Sequence, residues 1–134
     1  MSQIVLVMHE PLASAFKGCA QHVLGELPDL IVFDIPPDAD TEVSAVAIRD
    51  SLLRSADNSS LVLCDIYGAT PFNIAQSAVK QANSAGGDAH LLTGANLCMV
   101  LKAVVGSREQ AATLSEVVRL RALTGIVDAD CQGN

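Results

Sequence analysis

Tryptophan is absent from this 134-residue sequence, which carries only one tyrosine and three phenylalanines. With so few rings, the core of the folded chain has to be built from Val, Leu, Ile and Ala. Positive charge is scarce as well: 8 Lys and Arg face 15 Asp and Glu, for a formal net charge of −7. No Lys/Arg cluster occurs, which argues against nucleic acid and anionic membranes as partners. No apolar run approaches the ~18 residues of a membrane-spanning helix, so no direct membrane insertion is expected. Met1-Ser2-Gln3 lacks the basic region and cleavage site of a signal peptide, and a cytoplasmic location is expected. The four cysteines, at 19, 64, 98 and 131, lack CxxC or other metal-like spacing. Cys19 and Cys64 fall on apolar positions and read as small core residues, which suits a reducing compartment. A zinc site from His9, Asp65 and Cys98 lacks the usual ligand spacing, so neither metal nor cofactor is expected. Neither GxxxxGK[ST] nor GxGxxG occurs, against a nucleotide-consuming kinase, and no GxSxG elbow supports Ser/His/Asp hydrolysis.

What is present is apolar and regularly punctuated. Half of the residues are hydrophobic and 17% are charged, as in a folded globular chain. The length fits one domain over residues 1–134, with a polar tail from about residue 128. Gln3 to Met8 reads as a buried strand. A helix follows with Leu12, Phe16, Cys19, Ala20, Val23 and Leu24 on one face, ended by Gly25 and Pro28. Leu30 to Ile35 is a second strand. Asp40 or Thr41 caps a second helix running to about Arg54, with Ala45, Ile48, Leu52 and Leu53 inward. Asp57-Asn58-Ser59-Ser60 reads as a loop before a third strand, Leu61 to Cys64. Gly68 permits a tight turn, Thr70 reads as an N-cap, and Pro71 opens a third helix to about Ala85. Ala89 to Thr93 is a fourth strand, and Gly94-Ala95-Asn96 turns into a helix from Leu97 to Val105. Ser107 caps a last helix through Leu123, and Ile126-Val127 reads as one more short strand.

Strict alternation of short apolar strands with helices implies a doubly wound α/β fold, mainly parallel, with helices on both faces. In the order 2-1-3-4, strands one and three are neighbours, and ligands bind at their carboxyl ends. His9 follows strand one and Asp65 follows strand three, so the topology brings them to one crevice. A carboxylate beside an imidazole can hold one tautomer and leave the other ring nitrogen free as nucleophile, base or ligand. The helix start Thr70-Pro71-Phe72-Asn73 offers a hydroxyl and backbone N–H groups to an anion, and Gly94-Ala95-Asn96 could add more. A nucleophilic nitrogen facing an anion cradle suits phosphoryl transfer. The blander reading is an exposed histidine at a strand end beside a well-capped helix. His22 and His90 have no matching partner and read as surface or packing residues.

Three motifs carry a resemblance to a known family: Val5-Leu6-Val7-Met8-His9 followed by Leu12-Ala13, Asp65-Ile66-Tyr67-Gly68-Ala69-Thr70-Pro71-Phe72-Asn73, and Thr93-Gly94-Ala95-Asn96-Leu97-Cys98-Met99. Over about Gln3 to Val127 the chain resembles the mannose-family IIA component of the bacterial phosphoenolpyruvate-dependent sugar phosphotransferase system (PTS). The resemblance implies a phosphotransferase in which His9 accepts a phosphoryl group on Nε2 from the phosphohistidine carrier HPr. Asp65 would orient the ring through Nδ1, and Thr70, Phe72 and Asn73 would hold the phosphoryl oxygens. A IIB component would be the next acceptor. The resemblance also implies a homodimer that exchanges an antiparallel fifth strand, here Ile126-Val127.

The chain departs from the family pattern at three places. Glu10 stands where glycine usually follows the active histidine, Ala69 replaces the second loop glycine, and Cys98 replaces a proline. Two other readings remain open beside the carrier: a regulatory module whose binding depends on phosphorylation, and an inert phosphate-binding α/β domain.

Overall fold

The computed structural model describes residues 1–130 except 56, 107 and 109. Its elements alternate in chain order: β1 (Gln3–His9), α1 (Leu12–Leu24), β2 (Ile31–Ile35), α2 (Thr41–Leu52), β3 (Ser59–Cys64), α3 (Thr70–Ser84), β4 (Asp88–Leu92), α4 (Leu97–Val105) and α5 (Ala111–Thr124). The four strands form one sheet in the order β2-β1-β3-β4, every pair parallel. The expected architecture and strand order are therefore those of the folded chain.

The two central strands are buried almost throughout, and their period of two divides the core. Ile4, Leu6, Met8, Leu61 and Leu63 face one layer, where they meet residues of α1, α4 and α5. Val5, Val7, Val62 and Cys64 face the other, against Ile48 and Leu52 of α2 and Ile74, Ala75 and Ala78 of α3. With no tryptophan available, small residues let these layers close: Ala13, Ala20, Ala75, Ala78, Ala82 and Ala103 are all buried.

Four local expectations change. Ser59 and Ser60 belong to β3 and are buried, not part of a loop. Their hydroxyls are satisfied from the neighbouring strand end: Ser59 Oγ lies 2.7 Å from Ser2 Oγ, and Gln3 Nε2 donates to Ser60 Oγ at 2.9 Å. Such partners remove the penalty that burial puts on a hydroxyl. In α1 the inward stripe runs through Ala13, Phe16 and Ala20, so Cys19 and Val23 are exposed. Thr70 is the first residue of α3 and not its N-cap; that position belongs to Ala69, whose backbone is extended (φ −79°, ψ 172°). Ile126 and Val127 form no strand among the described residues and are exposed. The expected cap of the last helix, Ser107, lies outside the described residues, and α5 begins at Ala111.

Candidate functional site

Parallel strands deliver their carboxyl ends, and the N-termini of the helices that follow them, to one edge of the sheet. There the topology places His9, the last residue of β1, beside Asp65, the first residue after β3. The pair meets as the sequence implies. His9 Nδ1 lies 2.7 Å from Asp65 Oδ2, and the main-chain N–H of His9 donates to the same oxygen at 3.0 Å. The other carboxylate oxygen accepts from Ile66 N at 3.0 Å.

Burial alone would raise the pKa of Asp65, but the ring and main-chain hydrogen bonds from His9 and the His9 charge outweigh it. The carboxyl is held below the usual carboxylate range. An ionised carboxylate only accepts hydrogen bonds, so Nδ1 carries the proton of the shared bond. In the neutral ring, Nε2 then holds the lone pair. The exposures fit this division: the Asp65 side chain is 5% exposed and that of His9 47%. Behind Asp65, burial and the adjacent carboxylate push the Cys64 thiol up to about 12, which leaves it a neutral core residue.

The helix starts at this edge are not equivalent. At α1, Asp34 of β2 accepts from Ser14 N at 3.1 Å and from the Ser14 hydroxyl. At α2, Asp40 Oδ1 accepts from Val43 N at 3.0 Å, and at α4, Asn96 Oδ1 accepts from Met99 N at 2.9 Å. The start of α3, five residues after Asp65, has no side-chain cap, because Ala69 has no acceptor to give, and among the described residues no other side chain takes its place. Pro71 has no N–H and Asn73 N donates to Ala69 O at 3.0 Å, so the amides of Thr70 and Phe72 remain for an anion.

The other expected site residues sort by their surroundings. The hydroxyl of exposed Thr70 is in place at the helix start. Phe72 is buried, its ring 4.8 Å from that of Tyr67, so it can contribute only through its amide. Asn73 is exposed and, with Thr70, lines a groove of about 550 Å³ between α2 and α3 that does not include His9. The Gly94-Ala95-Asn96 turn offers less than expected. Ala95 N already donates to Cys64 O at 3.0 Å, and Asn96 caps its own helix. Gly68 has φ +83°, the left-handed conformation that carries the chain from Asp65 to α3 at low cost. His22 and His90 are exposed on α1 and β4. Among the described residues, no three His, Cys, Asp or Glu side chains gather in a way that could hold a metal.

Asp34 and Ser14 are the pair that the motifs did not single out. The available signal was a lone carboxylate inside the apolar run Leu30 to Ile35. Together with the bond from Glu10 N to Ile35 O, 3.1 Å, they fasten the turn that follows His9 to the end of β2.

Comparison with known proteins gives one consistent picture. A family model described as the PTS system fructose IIA component, of the EIIA-man type, matches residues 3–120. The chain is 26% identical over 105 residues to the sorbose-specific EIIA component of the PTS of Lacticaseibacillus casei, spanning 78% of this chain and 73% of that relative. Its fold superposes on EIIA from Streptococcus agalactiae with a TM-score of 0.86 at 24% identity, covering 98% of this chain and all (100%) of the other. A mannose/sorbose-specific IIA subunit from Enterococcus faecalis gives 0.84 at 21% identity, covering 99% and 98%.

Proposed function

Because the chain belongs to the family of PTS fructose IIA components, we propose that it carries a phosphoryl group on His9 Nε2, received from the phosphohistidine carrier HPr and passed to a IIB component. The observation that supports this most is the 2.7 Å bond between His9 Nδ1 and Asp65, which fixes the tautomer and leaves Nε2 as the nucleophile. In the transfer, the Nε2 lone pair attacks the phosphorus of the donor's phosphohistidine. The donor P–N bond breaks and its electron pair returns to the donor imidazole. The Nδ1 proton stays on the His9 ring, bonded to Asp65, and the Asp65 carboxylate stabilises the positive charge that the ring gains. The Thr70 hydroxyl and the amides of Thr70 and Phe72 receive the three equatorial oxygens, where charge stabilisation does most of the catalysis.

The reading places the protein in the cytoplasm; no helix among the described residues is long and apolar enough to cross a membrane. It also includes a homodimer. β4 is an edge strand, and the apolar residues Leu92, Leu123 and Ile126 line a groove beside it that an exchanged Ile126-Val127 segment would extend. Sedimentation equilibrium giving a monomer at all concentrations would remove the dimer and leave the carrier chemistry standing.

The direct test is incubation with phosphoenolpyruvate, enzyme I and HPr, followed by intact mass measurement. One acid-labile phosphoryl group per chain is expected. No label, with HPr phosphorylated in the same tube, would overturn the reading.

The uncapped start of α3 gives a second expectation. Ala69→Ser would supply the missing cap and stabilise the protein by about 1 kcal/mol. It would also place a hydroxyl oxygen where the phosphoryl oxygens bind. Uptake should slow roughly tenfold, less than the ~10²-fold that follows loss of an oxyanion donor, because a seryl side chain can rotate away. A thermal melt and a labelling time course on the same sample measure both effects.

A further inference from the structure

The loops at the carboxyl edge of the sheet contain no lysine or arginine. Residues 9–14, 36–42, 65–73 and 93–97 hold Glu10, Asp38, Asp40, Glu42 and Asp65, and no positive side chain. Three of the five have local work: Asp40 caps α2, Glu42 lies in the first turn of that helix, and Asp65 holds the ring. Glu10 does not. It is exposed, directly follows His9, and forms no ion pair among the described residues. The positive end of α1 is already partly spent: Pro11 brings no N–H to that helix start, and Asp34 occupies Ser14 N. Nor can residue 10 drift far from the site, because its N–H is tied to Ile35 O at 3.1 Å.

We propose that Glu10 raises the phosphoryl-transfer potential of phosphorylated His9 and so biases the chain toward handing its phosphoryl group on. The inference rests on the acceptor role of His9. A phosphoryl group on Nε2 adds roughly two negative charges at neutral pH. Successive Cα atoms are ~3.8 Å apart, and a separation on the order of 8 Å between the Glu10 carboxylate and those charges is within reach of the two side chains. In water-like surroundings, repulsion at that distance disfavours the phosphorylated form by about sixfold without screening. Salt shortens its reach, with a Debye length of about 30 Å at ~0.01 M, 10 Å at ~0.1 M and 3 Å at ~1 M. Glycine at this position would impose no such repulsion.

The experiment mixes purified phospho-HPr with the protein at equal concentrations, without enzyme I, and reads both phosphorylated species by intact mass at equilibrium. Glu10→Gln should shift the equilibrium toward the phosphorylated protein about fourfold at ~0.01 M salt and about twofold at ~0.1 M, with no shift near ~1 M. Glu10→Gly should behave the same way. An unchanged equilibrium for Glu10→Gln, or a shift independent of salt, would overturn the inference. So would a shift with glycine alone, which would assign the effect to the backbone. If neither the wild type nor the variants took up label from intact phospho-HPr, the acceptor role itself would fall.

Discussion

His9→Gln is expected to take no phosphoryl group, a loss of at least ~10⁴-fold in uptake, while the fold stays intact. Glutamine has a similar reach and can still bond Asp65, but its amide nitrogen lone pair is delocalised into the carbonyl and cannot attack phosphorus. Loss of a nucleophile removes a whole route and not one contribution to it, which is why the effect is so large. Little stability should go with it. The His9 side chain is about half exposed, and the bond from the main-chain N–H of residue 9 to Asp65 does not depend on the side chain. The melting temperature should move by no more than a few degrees. Intact mass after incubation with phosphoenolpyruvate, enzyme I and HPr reads the first effect, and circular dichroism reads the second. Undiminished label in this variant would move the acceptor to exposed His22 or His90 and end the role given to His9.

The second large effect belongs to Asp65→Asn, for which a fall of roughly 10²- to 10⁴-fold in uptake is expected. The substitution keeps the shape and removes the charge. An amide NH₂ turned toward Nδ1 would donate to it, placing the ring proton on Nε2, where the lone pair is needed. The same exchange in a hydrolytic triad costs ~10⁴-fold for this reason. The variant also carries a signature in acid. The carboxyl of Asp65 is held below its ordinary value by the His9 hydrogen bonds. A group whose pKa falls on folding adds stability above its unfolded value of ~3.9 and loses that contribution as pH drops through the lower, folded value. Wild type should therefore lose denaturant resistance below about pH 4 more steeply than Asp65→Asn. Parallel curves in that range would mean that the bond contributes nothing to folding.

The sequence discloses the frame and the His9–Asp65 pair because both depend on coarse, redundant signals. Alternation of apolar strands with helices implied a doubly wound parallel sheet, and with the order 2-1-3-4, which the folded chain has, His9 meets Asp65 across a separation of 56 residues. Finer features depended on partners far along the chain. Ser59 and Ser60 look like turn residues until Ser2 and Gln3 are seen to satisfy them. Cys19 is exposed because the inward stripe of α1 follows Ala13, Phe16 and Ala20, one position round the helix from it. The cap of α3 lies one residue earlier than Thr70, and that shift decides which amides are open. Asp34 was hidden because its role is to restrain a neighbouring turn, and no local pattern announces that.

The hydrogen bonds between Ser2, Gln3, Ser59 and Ser60 have a consequence at the opposite end of the sheet. Strands β1 and β3 are apolar on both faces, so sliding one past the other by two residues would still put Leu and Val inside. Alternation, which normally forbids slippage, is weak here. What such a slide would break is the polar rung at the amino end, stranding buried hydroxyls and the Gln3 amide. It would also carry His9 about 7 Å from Asp65, since each residue of a strand spans ~3.3 Å. Two strands thus share one index mark, set by serines on the order of 20 Å from the imidazole they keep in alignment.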